Sequence, residues 1–182
     1  MLFEKPGKEN TEQTLELAFA RGRELNLDEI VIASTKGDTA LQAMTIGKGF
    51  KISVVTYHCG FKEPFKAMME ENVKKELESK GATIISATHA LSGVERAVAK
   101  KHGGIYPALL IADTLRLFGQ GTKVAVEISI MAADFGVLSG KDIIAVGGTG
   151  KGADTALVIK PANQSAIFNL QIRESICKPR NF

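Results

Sequence analysis

Two registers of apolar residues alternate along this chain. Short unbroken runs rich in β-branched residues, EIVIAS (29–34), KISVVTY (51–57), ATIISAT (82–88), DIIAVGG (142–148) and DTALVIKP (154–161), alternate with stretches where apolar residues recur every three or four positions. The runs are too continuous to divide between core and solvent. They predict strands covered on both faces, as in a parallel sheet. Between them the pattern predicts helices over 11–26, Asp38–Lys48, 65–81, 93–104, Tyr106–Phe118 and Lys123–Leu138. Asn10 or Thr11 is expected to cap the first, and Gly81 to stop the third. Within the last, KVAVEISI (123–130) alternates and is β-branched, so strand competes with helix there, although Val124, Ile128, Met131 and Phe135 share a helical face. AIFNLQIRES (166–175) is expected to add a strand at a sheet edge.

Strand and helix alternating this regularly imply parallel βαβ units with right-handed crossovers and helices on both faces, all in one α/β domain over residues 1–182. In such sheets ligands gather beyond the carboxyl ends of the strands, where the winding reverses. Four turns lie there: STKGDT (34–39), YHCGF (57–61), THALSG (88–93) and GGTGKGADT (147–155).

The totals narrow the choice of ligand. A net charge of +3, with no run of five like charges, indicates neither a nucleic-acid stripe nor an acidic tail, and leaves small anions as candidates. Two cysteines far apart, Cys59 and Cys177, read as free thiols in a reducing compartment. The first ten residues lack the apolar core of a signal peptide, and no stretch approaches the ~20 apolar residues of a membrane span, so a soluble cytoplasmic protein is expected. An oligomer of identical chains is compatible with these totals.

In the first turn, Ser34, Thr35 and Thr39 offer hydroxyls, Lys36 a full charge, and Gly37 a backbone that lets an anion come close. The helix starting at Asp38 aims free amides at the same place. The Asp38 carboxylate would repel phosphate unless it folded back onto its own helix amides. In the last turn, Gly147, Gly148, Gly150 and Gly152 surround Thr149 and Lys151, a composition suited either to a backbone nest for anions or to a flexible hairpin. It is not a Walker loop, because Ala145 stands at the first glycine position and Gly152 at the hydroxyl position. Tyr57, His58 and Phe61 after the second strand could stack on a planar ring or close over the core edge. Thr88 opens the third turn and joins the candidate set. His58, Cys59, His89 and His102 lack paired ligand spacing, so no metal site is expected. Cys59 and His89 are the minimum for an activated nucleophile, but read more simply as a buried thiol and a surface histidine.

IVIASTKGDTALQAM (30–44) resembles the stretch around the effector-phosphate turn of the pyruvate kinase C-terminal domain, and GVLSGKDIIAVGGTGKGADTALVIK (136–160) resembles that domain's penultimate strand, glycine-rich effector loop and final strand. The likeness runs from the N-terminus to about residue 55 and from Gly121 to Lys160; the middle and the last residues depart from it. The resemblance implies a three-layer α/β/α sandwich, a mostly parallel sheet of order 3-2-1-4-5 with an antiparallel fifth strand, and a phosphate site made by the first and last turns. It does not imply pyruvate kinase activity, whose chemistry belongs to a separate barrel. STKGDT also resembles the hydroxyl-rich phosphate loop of flavodoxins, which points to flavin mononucleotide (FMN), with Tyr57 or Phe61 beside the ring. Three readings follow: a protein that seats FMN or another phosphorylated metabolite, a flavin-dependent oxidoreductase with His58, Cys59 or His89 near the ring, and an effector-sensing subunit of a partner enzyme. Lys36→Glu combined with Gly37→Val is expected to abolish binding and leave the fold cooperative.

Overall fold

The computed structural model describes residues Met1–Phe182. Seven strands, β1 (Leu2–Phe3), β2 (Glu29–Ala33), β3 (Lys51–Thr56), β4 (Thr83–Ser86), β5 (Ile143–Gly147), β6 (Thr155–Lys160) and β7 (Gln171–Pro179), form one sheet in the order β1-β7-β6-β5-β2-β3-β4. The pairs β2–β3, β2–β5 and β3–β4 are parallel, whereas β6 runs antiparallel to both β5 and β7. The five expected strands are β2 to β6, in the expected order 3-2-1-4-5 with the fifth reversed. The C-terminal segment does join the sheet, but from Gln171 rather than 166, because a 3-10 turn occupies Gln164–Asn169. Nor is it the outermost strand: Leu2–Phe3 pairs with it in parallel. Two residues carry no readable period, so β1 was invisible in the sequence pattern.

Six helices cover the sheet: α1 (Thr11–Glu24), α2 (Asp38–Ile46), α3 (Glu71–Ser79), α4 (Gly93–His102), α5 (Pro107–Arg116) and α6 (Gln120–Phe135). Successive side chains of a strand point to opposite faces, and the core divides accordingly. Ile30 and Ile32 join Ile144, Val146 and Val158 under α1, α2 and α3, through Leu15, Phe19, Ala40, Ala43 and Leu77. Val31 joins Ile143, Ala145, Leu157 and Ile159 under α5 and α6, through Ala112, Ala125, Ile128 and Ile130. This is the three-layer sandwich, and it explains why the strand runs are apolar throughout.

Two boundaries differ from expectation for physical reasons. KVAVEISI lies wholly inside α6, where residues on every side of the helix are buried. Packing on the sheet face overrides β-propensity there, and a helix apolar all round shows little polar stripe. The third helix starts at Glu71 and not at 65, since Phe65 has φ 61°, a left-handed conformation that cannot enter an α-helix, and is almost fully exposed.

Close packing of α6 sets the geometry beneath the site. A Cβ on Gly147 would lie 2.3 Å from the Gly121 carbonyl oxygen, and one on Gly121 would lie 2.1 Å from Thr155 Oγ1. These two glycines let the first turn of α6 rest on the ends of β5 and β6. Gly147 is thus a helix–strand contact glycine, not part of a nest. No helix is long and apolar enough to cross a membrane.

Candidate functional site

A cavity of about 810 Å3 opens where β2, β3 and β5 end. Its wall is drawn from both helical layers, with Thr11 of α1 and Thr39 and Gln42 of α2 on one side, and Gln120, Val124, Glu127, Ile128 and Met131 of α6 on the other. The chain turns from β2 toward β3 on one flank and reaches β5 on the other, so the cavity sits at the reversal of winding.

The first turn is open to it. Ser34, Thr35, Lys36, Asp38 and Thr39 all line the cavity. Gly37 precedes α2 at φ 104° and turns the chain so that the helix begins abruptly. The Ser34 hydroxyl accepts the Ala40 N–H at 3.3 Å, and the Leu41 N–H reaches the Gly37 carbonyl. The amides of Thr35, Lys36, Gly37, Asp38 and Thr39 donate to no acceptor within the chain. Five consecutive free donors at the positive end of a helix are a geometry that an anion could satisfy. Asp38 does not fold back as required above: it makes no capping bond, is exposed and lines the cavity. Its charge is outweighed, because Lys8, Lys36, Lys62 and Lys151 line the same cavity.

Gly37 also argues against the double substitution. A Cβ there would lie 2.4 Å from Val73 Cγ1 in α3, on a backbone conformation that L side chains rarely adopt. Gly37→Val would therefore strain the fold and blur any loss of binding, and Lys36→Glu alone is the interpretable change.

The glycine-rich loop connects the antiparallel strands β5 and β6 and is tied to the segment before α1 by side-chain bonds. Asp154, fully buried, accepts the Gly7 N–H at 3.2 Å and the Thr149 N–H at 3.1 Å through Oδ2, and the Thr155 hydroxyl at 2.8 Å through Oδ1. Thr11 does not cap α1 as expected; its Oγ1 donates to the Lys8 carbonyl and accepts the Ala153 N–H at 3.0 Å. Gly152 lies tight against this clamp, since a Cβ on it would come 2.3 Å from Thr11 Oγ1. The amides of Gly148, Gly150 and Gly152 have no acceptor in the chain, and the buried Thr149 Oγ1 has no partner either. Unmet donors therefore face one another from the two turns that resemble the family's phosphate site.

The α6 side is different in kind. Lys123 and Glu127, one helical turn apart and both buried, form an ion pair, and Glu127 Oε1 also accepts the Leu91 N–H at 3.0 Å. Desolvation pushes the Lys123 ammonium below the usual lysine range, against the pull of Glu127. Above them Tyr57 and Phe61 stack with ring centres 3.9 Å apart, and His89 leans on both. Burial lowers the His89 pKa below 6.5, the attraction of Glu127 opposing and Lys123, His58 and Arg96 assisting. Between that lowered value and 6.5 the unfolded chain binds the proton more readily, so His89 removes stability as the pH falls through this window. Ring-proton NMR should show His89 titrating below 6.5; a midpoint above 6.5 would contradict the burial described here.

Most of the expected site converges. Ser34, Thr35, Lys36, Asp38, Thr39, Tyr57, Gly148, Gly150, Lys151 and Gly152 line one cavity. Gly37 and Thr149 lie just behind it as backbone supports. Two do not belong. Thr88 lines a separate pocket of about 150 Å3 with Asp134 and Phe135, because it faces the far side of its turn. His58 bonds the Cys59 carbonyl at 2.8 Å and packs edge-on against Phe61 and His89 instead of lining the cavity. The thiol and imidazole are reversed relative to expectation: Cys59 is exposed and outside the cavity, and His89 is half-buried in its wall. Among the polar lining residues, Lys8, Thr11, Gln42, Thr56, Lys62, Gln120 and Glu127 were missed. Only Glu127 carried a signal, a Lys–Glu pair spaced i, i+4 within an otherwise apolar helix.

The model of the family described as pyruvate kinase, alpha/beta domain, matches residues 12–159, including the middle stretch that departs from the quoted motifs. Among solved structures the chain is similar to Cryptosporidium parvum pyruvate kinase in complex with ADP, at 16% identity and a TM-score of 0.42, over 86% of this chain and 24% of that one. The chain thus spans about a quarter of the length of that protein.

Proposed function

Because the chain belongs to the pyruvate kinase alpha/beta domain family, we propose that it uses the site geometry of that domain, without pyruvate kinase activity, to bind a phosphorylated small molecule, with FMN as the ligand of choice. The observation that carries this reading is the run of free amides from Thr35 to Thr39 facing the same cavity as Lys8, Lys36 and Lys151. A phosphate dianion would satisfy several of these donors at once. The volume, about 810 Å3, falls in the range usual for small-molecule sites. FMN fits the donor set at one side, and the Tyr57, Phe61 and His89 rings offer an apolar surface for its isoalloxazine. When bound, FMN would supply hydride and single-electron chemistry.

A flavin-dependent oxidoreductase is the second reading, favoured by His89, which burial keeps neutral in the cavity wall. Cys59 and His58 are not part of that proposal, since neither lines the cavity. An effector-sensing subunit in the cytoplasm would use the same site. Titration with FMN, followed by flavin fluorescence, tests the common core. Lys36→Glu is expected to weaken binding by about tenfold to a hundredfold, since it places a negative charge beside the phosphate. Unchanged affinity would remove this turn from the site. Binding of ribose 5-phosphate without FMN would retain the phosphate and discard the flavin. Bleaching of bound flavin by a reduced nicotinamide would favour the enzyme over the sensor.

A further inference from the structure

We propose that the α6 wall of the cavity is a hydrogen-bond-accepting pole centred on Glu127, so that the ligand is a monophosphate whose remaining groups are neutral donors, and that bisphosphates are rejected. This inference rests on the phosphate site proposed above and deepens it by naming the ligand class.

Glu127 lines the cavity, whereas its partner Lys123 does not. The pair is buried, so its orientation is fixed by packing and by the Leu91 N–H that holds one carboxylate oxygen. An ionised carboxylate has about four acceptor positions. Leu91 and Lys123 take two, and no other donor of the chain reaches the rest. A ligand hydroxyl or imide N–H would complete the set.

A second phosphate on this side would meet the reverse situation. The α6 residues that line the cavity are Gln120, Val124, Glu127, Ile128 and Met131, none of them a cation. Nearby His89 is held neutral by burial. The charge that α6 presents to the cavity is therefore the carboxylate, which would repel a second phosphate. Of the four lysines that line the cavity none is on α6: Lys36 and Lys151 belong to the two phosphate turns, Lys8 precedes α1, and Lys62 follows Phe61 in the turn after β3. FMN satisfies both requirements, with one phosphate and, at a distance from it, ribityl hydroxyls and a ring imide N–H.

The test is competition against FMN by glucose 6-phosphate and by glucose 1,6-bisphosphate, read by flavin fluorescence in the whole protein. The monophosphate is expected to compete at least about tenfold better, and Glu127→Gln to narrow that gap to within about threefold. A bisphosphate that competes equally well or better would overturn the inference and leave the phosphate site standing. If FMN binds and neither sugar competes, Glu127→Gln decides. A loss of FMN affinity of at least about threefold with a shifted flavin absorption band supports the inference, and no change overturns it. If FMN and both sugars fail to bind, the phosphate site itself falls and the inference with it. Should Glu127→Gln not fold, Lys123→Met/Glu127→Gln removes the pair whole and is expected to lose the same discrimination.

Discussion

Replacing Glu127 by alanine is expected to cost the fold about 3–5 kcal/mol at pH 7, the usual penalty for removing one partner of a buried ion pair. Lys123 and Glu127 are 5% and 3% exposed, and only Glu127 borders the cavity, so the Lys123 charge has little water to fall back on. In the variant the Lys123 ammonium is left unpaired, and the Leu91 N–H loses its acceptor. The pH dependence follows from the direction of the Lys123 shift. Desolvation lowers its folded pKa, and Glu127 is the main force that raises it again. Between the folded value and 10.5 the unfolded chain binds more protons, so stability rises with pH across that window and is lost as pH falls through the folded value. Removing Glu127 lowers the folded value further and widens the window downward. Urea unfolding should therefore show a deficit that is large at pH 7 and smaller at pH 9.5. Equal deficits at the two pH values would mean that Lys123 stays neutral, or finds water, in both proteins.

Asp154→Ala is expected to cost about 3–5 kcal/mol as well, by a different route. Three donors converge on this carboxylate: two backbone amides, Gly7 and Thr149, and the Thr155 hydroxyl. The Thr155 hydroxyl would be left buried, and the Gly7 and Thr149 amides part-buried, around a position where Asp154 itself is 0% exposed. Each unmet buried donor costs about 1–3 kcal/mol, reduced in sum by local relaxation. The same carboxylate ties the segment before α1 to the glycine-rich loop, so its loss should also free Gly148, Gly150 and Gly152 to move. FMN affinity is thus expected to fall even though Asp154 does not line the cavity. Lost stability with unchanged FMN affinity would show that the clamp serves the fold alone. A deficit under about 1 kcal/mol would show that other groups take over the three donors.

The two variants bear on residues that reading the sequence treated very differently. Asp154 stood at the end of GGTGKGAD as an ordinary loop residue, and Glu127 inside an apolar helix whose very type was contested. Neither role is local. Asp154 gathers partners 147 and 5 residues away in the chain, and Glu127 one 36 away. No window of sequence contains such sets. The place of STKGDT and GGTGKGAD beside the cavity, by contrast, was legible because its signals are local: a strand end, a few hydroxyls, a glycine turn and a helix start lie within a few consecutive residues. His58 and Thr88 were misplaced for a related reason. Being on the right turn fixes a residue's position along the chain but not the side of the turn it faces.

The period of apolar residues by itself determined the alternation of strands and helices and the presence of helices on both faces of the sheet, because it acts over tens of residues. The strand order, with its reversed fifth strand, came from the resemblance of two stretches to the pyruvate kinase C-terminal domain and not from the period. Tertiary structure alone decided that α6 is a helix throughout, that its first turn can rest on Gly147, and that Lys123 and Glu127 are buried together beside the cavity. Burial and close approach depend on what another part of the chain brings to the same place, and that information exists only once the chain has folded.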